Sequence, residues 1–163
     1  MTARSFIAWL NAAEFHWFFT QAEQAHDAEL YLPACIGLVN GVEASIRFTL
    51  TQVDRKELFG DLGATLSNPL LSVARDRGLP IHTLAFPGEI DFNSKLASKQ
   101  PHVEIVRLRH NLAHGNITEF VNTKYGFFTP ECLRDLSGTL LTISREWARQ
   151  LGDFRKKHIA VRR

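Results

Sequence analysis

The sequence predicts an all-α fold, an antiparallel bundle of four to five helices, on three observations. Apolar residues recur at steps of three and four across the stretches 33–53 and 133–154, the spacing of amphipathic helices that cover one another. All six prolines stand at the start of such a stretch or in a connection between two of them. Strand patterning is confined to 118–128, where Phe120, Tyr125, Phe127 and Phe128 suit a brief extended segment or hairpin.

The first predicted helix runs from Phe6 to about Leu30, with Phe6, Leu10, Ala13, Trp17 and Gln21 at helical steps and no internal Gly or Pro. The neighbouring aromatics Phe15, Trp17, Phe18 and Phe19 suit a core or a dimer interface better than a base-stacking platform. Pro33 opens the second helix, to about Val53, whose stripe is Ile36, Val39, Val42, Ile46, Leu50 and Val53. Gly37 and Gly41 weaken that helix intrinsically while letting another approach it closely. Asn68 and Pro69 read as cap and first turn of a short third helix, ended after Arg77 by Gly78 and Pro80. From Leu79 to Lys99, two prolines, a glycine and several short polar residues predict a long connection with room for one turn of helix. Pro101 opens the fourth helix, which ends at His114 with Gly115 as its left-handed terminator. Thr129, Pro130 and Glu131 cap a fifth, carrying Leu133, Leu136, Leu140, Ile143, Trp147, Leu151 and Phe154 on one stripe.

A chain of 163 residues with 45% hydrophobic and 22% charged residues suits one domain with one sizeable core. No apolar run reaches membrane-spanning length, and Asn11, Glu14 and His16 interrupt the N-terminal aromatics before a secretory signal could form. Cys35 and Cys132 match no common zinc or redox spacing, which fits small core residues in a reducing, cytoplasmic compartment. A net charge of +2 does not by itself point to nucleic acid. The segment 155–163 concentrates five Lys and Arg without an acid and reads as a basic, solvated tail.

Chemistry concentrates on the fourth helix. At 100° per residue, Ile105, Leu108 and Leu112 share the inward side, while Arg107, His110, Asn111 and His114 share the opposite one and Arg109 lies on a flank. A solvated face normally carries Lys and Glu; this set of guanidinium, imidazole and amide groups suits an anion. The negative end of the helix dipole favours protonated His114, which can then trade protons, and a guanidinium offers a planar fork for two phosphate oxygens. Together they suit phosphoryl chemistry without a metal or other cofactor. Glu43 falls inside the apolar stripe of the second helix, where its carboxylate needs a partner; Arg47, one turn on, is one choice and the site is the other.

The run Arg109-His110-Asn111-Leu112-Ala113-His114-Gly115 resembles the signature of HEPN domains, an Arg followed after four to six residues by His, with a polar residue next to the Arg. Arg107 stands at a permitted spacing from His114 as well, as do Arg75 and Arg77 from His82, but Gly78 and Pro80 keep the latter pairs off a single helix. The resemblance implies a HEPN-like bundle that forms a homodimer with two motifs lining a shared cleft. It also implies metal-independent endoribonuclease activity of toxin or phage-defence type, with RNA as substrate and a cognate antitoxin or nucleotidyltransferase as partner. Arg109 and His114 would be catalytic, with Arg107, His110, Asn111 and Glu43 in support; some family members carry an acidic residue on an early helix. A non-catalytic module binding RNA, a nucleotide or a protein is the alternative. A metal site is a further rival, because His110 and His114 are one turn apart with His102 near in sequence, although no Glu follows His110 as a metalloprotease requires.

Overall fold

A computed structural model describes residues 5–54 and 65–159 of the chain. Among these residues the fold is all-helical, with seven α-helices in the order α1 (Phe6–Leu10), α2 (His16–Asp27), α3 (Tyr31–Val53), α4 (Asn68–Asp76), α5 (Phe92–Leu96), α6 (Glu104–Ala113) and α7 (Arg134–His158). The arrangement is compatible with a helical bundle: α2 packs along α3, α3 lies against α7 and α6, and α1 closes on α7. No helix among the described residues is long and apolar enough to cross a membrane.

The first predicted helix is two helices. Asn11 takes the left-handed conformation, at φ 47°, and terminates α1, and the chain re-enters a helix only at His16. Asn tolerates this region better than most side chains, so the break needs no glycine. Its packing consequence is large, because the helical register changes after Leu10. Ala12, Phe15, Phe19 and Ala22 turn inward, whereas Ala13 and Gln21 are exposed and Trp17 is 57% exposed. The aromatic run therefore divides, with Phe15 and Phe19 in the core and Trp17 and Phe18 at the surface. Phe6 stacks on Phe19 with ring centroids 5.0 Å apart, fastening α1 over α2.

Helix α3 begins two residues before Pro33, which sits in the first turn where its missing N–H breaks no helical hydrogen bond. Val39, Val42, Ile46 and Leu50 are buried as their spacing predicts, joined by Cys35 and Leu38. Close approach at its glycines follows the expectation: a Cβ on Gly37 would lie 2.8 Å from that of Ala22, and one on Gly41 2.9 Å from the Phe19 ring. Buried Ser45 then links α3 to α7, accepting a 2.9 Å hydrogen bond from Nε1 of fully buried Trp147 while donating to the Val42 carbonyl.

Ser67, not Asn68, caps α4, its hydroxyl accepting from the Leu70 N–H. Asn68 is instead a buried latch. Its Nδ2 lies 2.9–3.0 Å from the carbonyls of Lys95, Ser98 and Pro101, and its Oδ1 accepts from the Val103 N–H at 3.1 Å. These bonds tie the stretch leading into α6 to the start of α4, and so set where α6 begins. The connection from 79 to 99 contains a 3₁₀ turn, Ile81–Leu84, and α5, and it buries Leu79, Ile81, Leu84, Phe92 and Leu96.

Beyond α6 the chain makes a 3₁₀ turn at Thr118–Phe120 and a single antiparallel bridge between Asn122 and Phe127, the whole of the extended structure within 118–128. Pro130–Leu133 forms a 3₁₀ entry to α7. Leu133 in that turn and the α7 stripe of Leu140, Ile143, Trp147 and Leu151 are buried, with Leu136 and Phe154 half-buried. Expectation fails at the tail: residues 155–158 belong to α7 and Arg155 is only 7% exposed, so the basic tail begins no earlier than Lys156. Residues 160–163 lie outside the described set.

Candidate functional site

Helix α6 buries Ile105, Val106, Leu108 and Leu112 against the core, with Val106 an addition to the expected face. His110 is exposed in the last turn, and His114 is exposed as the C-terminal cap residue. Gly115 follows at φ +67°, a conformation that favours glycine and here ends the helix. The two imidazoles pack together, with ring centroids 4.5 Å apart.

Arg109 lies on the flank and turns toward α3. Its Nε donates to Oε2 of Glu43 at 3.0 Å, while its two terminal nitrogens make no hydrogen bond among the described residues. Glu43, 8% exposed, bonds Arg47 one turn on as well as Arg109: Oε1 accepts from Arg47 at 3.3 Å, and Oε2 also accepts from the Leu66 N–H at 2.9 Å. One carboxylate thus joins α3, the approach to α4, and α6. Its burial is compensated by two guanidinium groups and a backbone donor.

Arg107 belongs to a different cluster. Its Nε and Nη2 grip the Glu104 carboxylate, and Nη1 reaches Oε2 of Glu119, whose Oε1 accepts from Nδ2 of Asn111 at 2.6 Å. The Glu104 hydrogen bonds, reinforced by Glu119, raise the affinity of Arg107 for its proton above the ordinary guanidinium value. Pattern reading missed Glu119, which follows α6 in an irregular stretch. Its only sequence signal is an acid placed after a cationic helix, and the turn at Gly115 is what brings it back.

The motif residues therefore form three small groups: Arg109 with Glu43, Arg107 with Glu119 and Asn111, and His110 with His114. No hydrogen bond or ion pair among the described residues joins Arg109 to His114. Five helical steps separate them by roughly 140° around the axis. Arg75 and Arg77, at the end of α4, are separated from His82 by Gly78 at φ +85° and a new 3₁₀ turn, as the sequence predicts.

His102 lies within hydrogen-bond distance of Gln100, their nitrogens 2.9 Å apart. No group of three or more His, Cys, Asp or Glu side chains among the described residues is placed to hold a metal ion. A Ser–His pair exists elsewhere, with Nδ1 of His26 2.8 Å from Oγ of Ser137, but Ser137 is fully buried and no substrate reaches it. Two clefts open away from α6's C-terminus. One, of about 470 Å³, is bordered by Asn11, Gln52 and Arg155; the other, of about 340 Å³, is bordered by Pro87, Glu89 and Glu104. No protein-family model, curated protein or solved structure matches this chain.

Proposed function

We propose that the chain is a HEPN-like, metal-independent endoribonuclease of toxin or phage-defence type, working in the cytoplasm as a homodimer with Arg109 and His114 as its catalytic residues. The observation that carries this reading is the Glu43–Arg109 bond, which fixes the guanidinium through Nε and, among the described residues, leaves both terminal nitrogens unspent on the helix that ends at exposed His114. A guanidinium so held is preorganised to stabilise charge developing on a phosphodiester.

In the proposed reaction the ribose 2′-oxygen attacks phosphorus and gives its proton to the imidazole of His114. The bond from phosphorus to the 5′-oxygen breaks, the departing oxygen takes a proton from water, and the product ends in a 2′,3′-cyclic phosphate. The angular separation of Arg109 and His114 makes a second copy part of this reading, since two-fold pairing sets one copy's imidazole beside the other's guanidinium. His110 would support His114, while Asn111 and Arg107 would contact flanking phosphates once drawn from Glu119. A cognate antitoxin or a nucleotidyltransferase would be the regulatory partner.

A specific observation favours the alternative of a non-catalytic module: Glu119 already occupies Arg107 and Asn111, leaving this face with fewer donors for a phosphate. Purified protein incubated with a mixed single-stranded RNA pool in excess chelator decides between them. Chelator-resistant cleavage leaving cyclic phosphate ends supports the ribonuclease. Intact RNA that is nevertheless retained by the protein supports the binding module.

A further inference from the structure

The second site lies at the opposite end of the sequence pattern, on Arg155. Nη1 of this buried guanidinium is anchored by Oγ1 of Thr49 at 3.0 Å and Oε1 of Gln52 at 2.6 Å, and the group lies over the Phe15 ring, 5.0 Å from its centroid. Its Nε is buried with no hydrogen-bond partner, Nη2 makes no hydrogen bond, and no carboxylate forms an ion pair with it among the described residues. Burial weakens its hold on the proton, with Glu14 acting in the opposite direction.

The unspent edge is the informative one. Arg75, Arg107, Arg145 and Arg149 each place Nε and Nη2 together on a neighbouring carboxylate. That pair of parallel N–H groups matches the two oxygens of a carboxylate or phosphate. On Arg155 the same edge is empty in a far drier place, where an unpaired donor is least tolerable. Arg155 also borders the cleft of about 470 Å³, with Lys156 beside it, Ile7, Ala13 and Ile159 as apolar wall, and Glu14 as the one acid among the described residues that line it. Such a volume accommodates an organic body as well as a charged head.

We infer that the cleft between α1, α3 and the end of α7 binds a compact organic anion, whose carboxylate or phosphate group is held by Nη2 of Arg155 while its body lies on the apolar wall. Lys156 adds a mobile second charge. Glu14 disfavours ligands of high negative charge, so the site selects a singly charged head or one that also donates a hydrogen bond.

Calorimetric titration of the full chain with acetate, inorganic phosphate, benzoate and phenyl phosphate, at constant ionic strength, tests this. Saturable binding is expected, tighter for the two aromatic probes than for the bare ions, and the tighter aromatic probe identifies the preferred head group. Arg155→Lys keeps the charge but loses the Nη2 donor that Thr49 and Gln52 hold in place through Nη1, and should weaken binding by about tenfold or more. Glu14→Gln, at an exposed position, should tighten it by about threefold. Absence of saturable binding for all four probes, or equal affinity in Arg155→Lys, overturns the assignment. Should Arg155→Lys fail to fold, Glu14→Gln decides alone, and an unchanged or weaker affinity overturns it.

Discussion

Glu43 and Arg109, 66 residues apart in sequence, are joined by a 3.0 Å hydrogen bond between α3 and α6. Because the same carboxylate also holds Arg47 and the Leu66 N–H, its removal takes the acceptor from Arg109 and from a buried backbone donor at once. Glu43→Ala should destabilise the fold by about 3 kcal/mol, the usual effect of stripping one partner from a largely buried ion pair. Glu43→Gln, which retains an acceptor, should destabilise less. Urea denaturation of both variants checks the order; equal losses would show that charge contributes nothing there.

Among the described residues the exposed His114 side chain makes no hydrogen bond or ion pair, and its ring packs on that of His110. His114→Ala should therefore unfold at the wild-type temperature yet lower RNA cleavage by roughly 10²-fold or more, the contribution of a general acid or base. Arg109→Lys should lose activity as well, since an ammonium cannot both bond Glu43 in the same geometry and present two further donors. Activity at the wild-type rate in His114→Ala would remove this residue from the mechanism.

Burial pushes the Cys35 thiol up to about 12 from its ordinary 9.0, against an opposing hydrogen bond with Ser137. The folded state therefore keeps this proton where the unfolded chain has lost it. The stabilisation is complete below about pH 9 and declines as pH rises towards 12, by about 1.4 kcal/mol for each unit of difference. Cys35→Ala should flatten that alkaline decline relative to wild type in denaturation curves. In the native protein at pH 8, a thiol reagent should modify half-buried Cys132 and spare Cys35 until denaturant is added.

Gly152 lies against the backbone of α1, where an added Cβ would overlap the carbonyl oxygen of Trp9. Backbone cannot give way as a side-chain tip can. Gly152→Ala should destabilise by about 3 kcal/mol, at the upper end for overpacking, and lower the melting temperature by roughly 6–12 °C. Gly138→Ala, on the same helix with open space around it, is the control and should be neutral or stabilising.

By itself the sequence determined the helical class, the inward faces of α3, α6 and α7, the stop at Gly115 and the exposure of His110 and His114. Each follows from a period of 3.6 residues or from the backbone demands of Gly and Pro, which are local properties. Only the tertiary structure decided the break at Asn11, because an αL asparagine is not required by its neighbours and is selected by the burial of Phe15 and Phe19. Tertiary structure likewise assigned Arg109 to Glu43 and Arg107 to Glu119, and turned Arg155 from a tail residue into a buried cation. Helical spacing ranks which residues share a face, but charge partners depend on which helix arrives opposite. That choice is made by the packing of distant segments, as Asn68 does in setting the entry to α6.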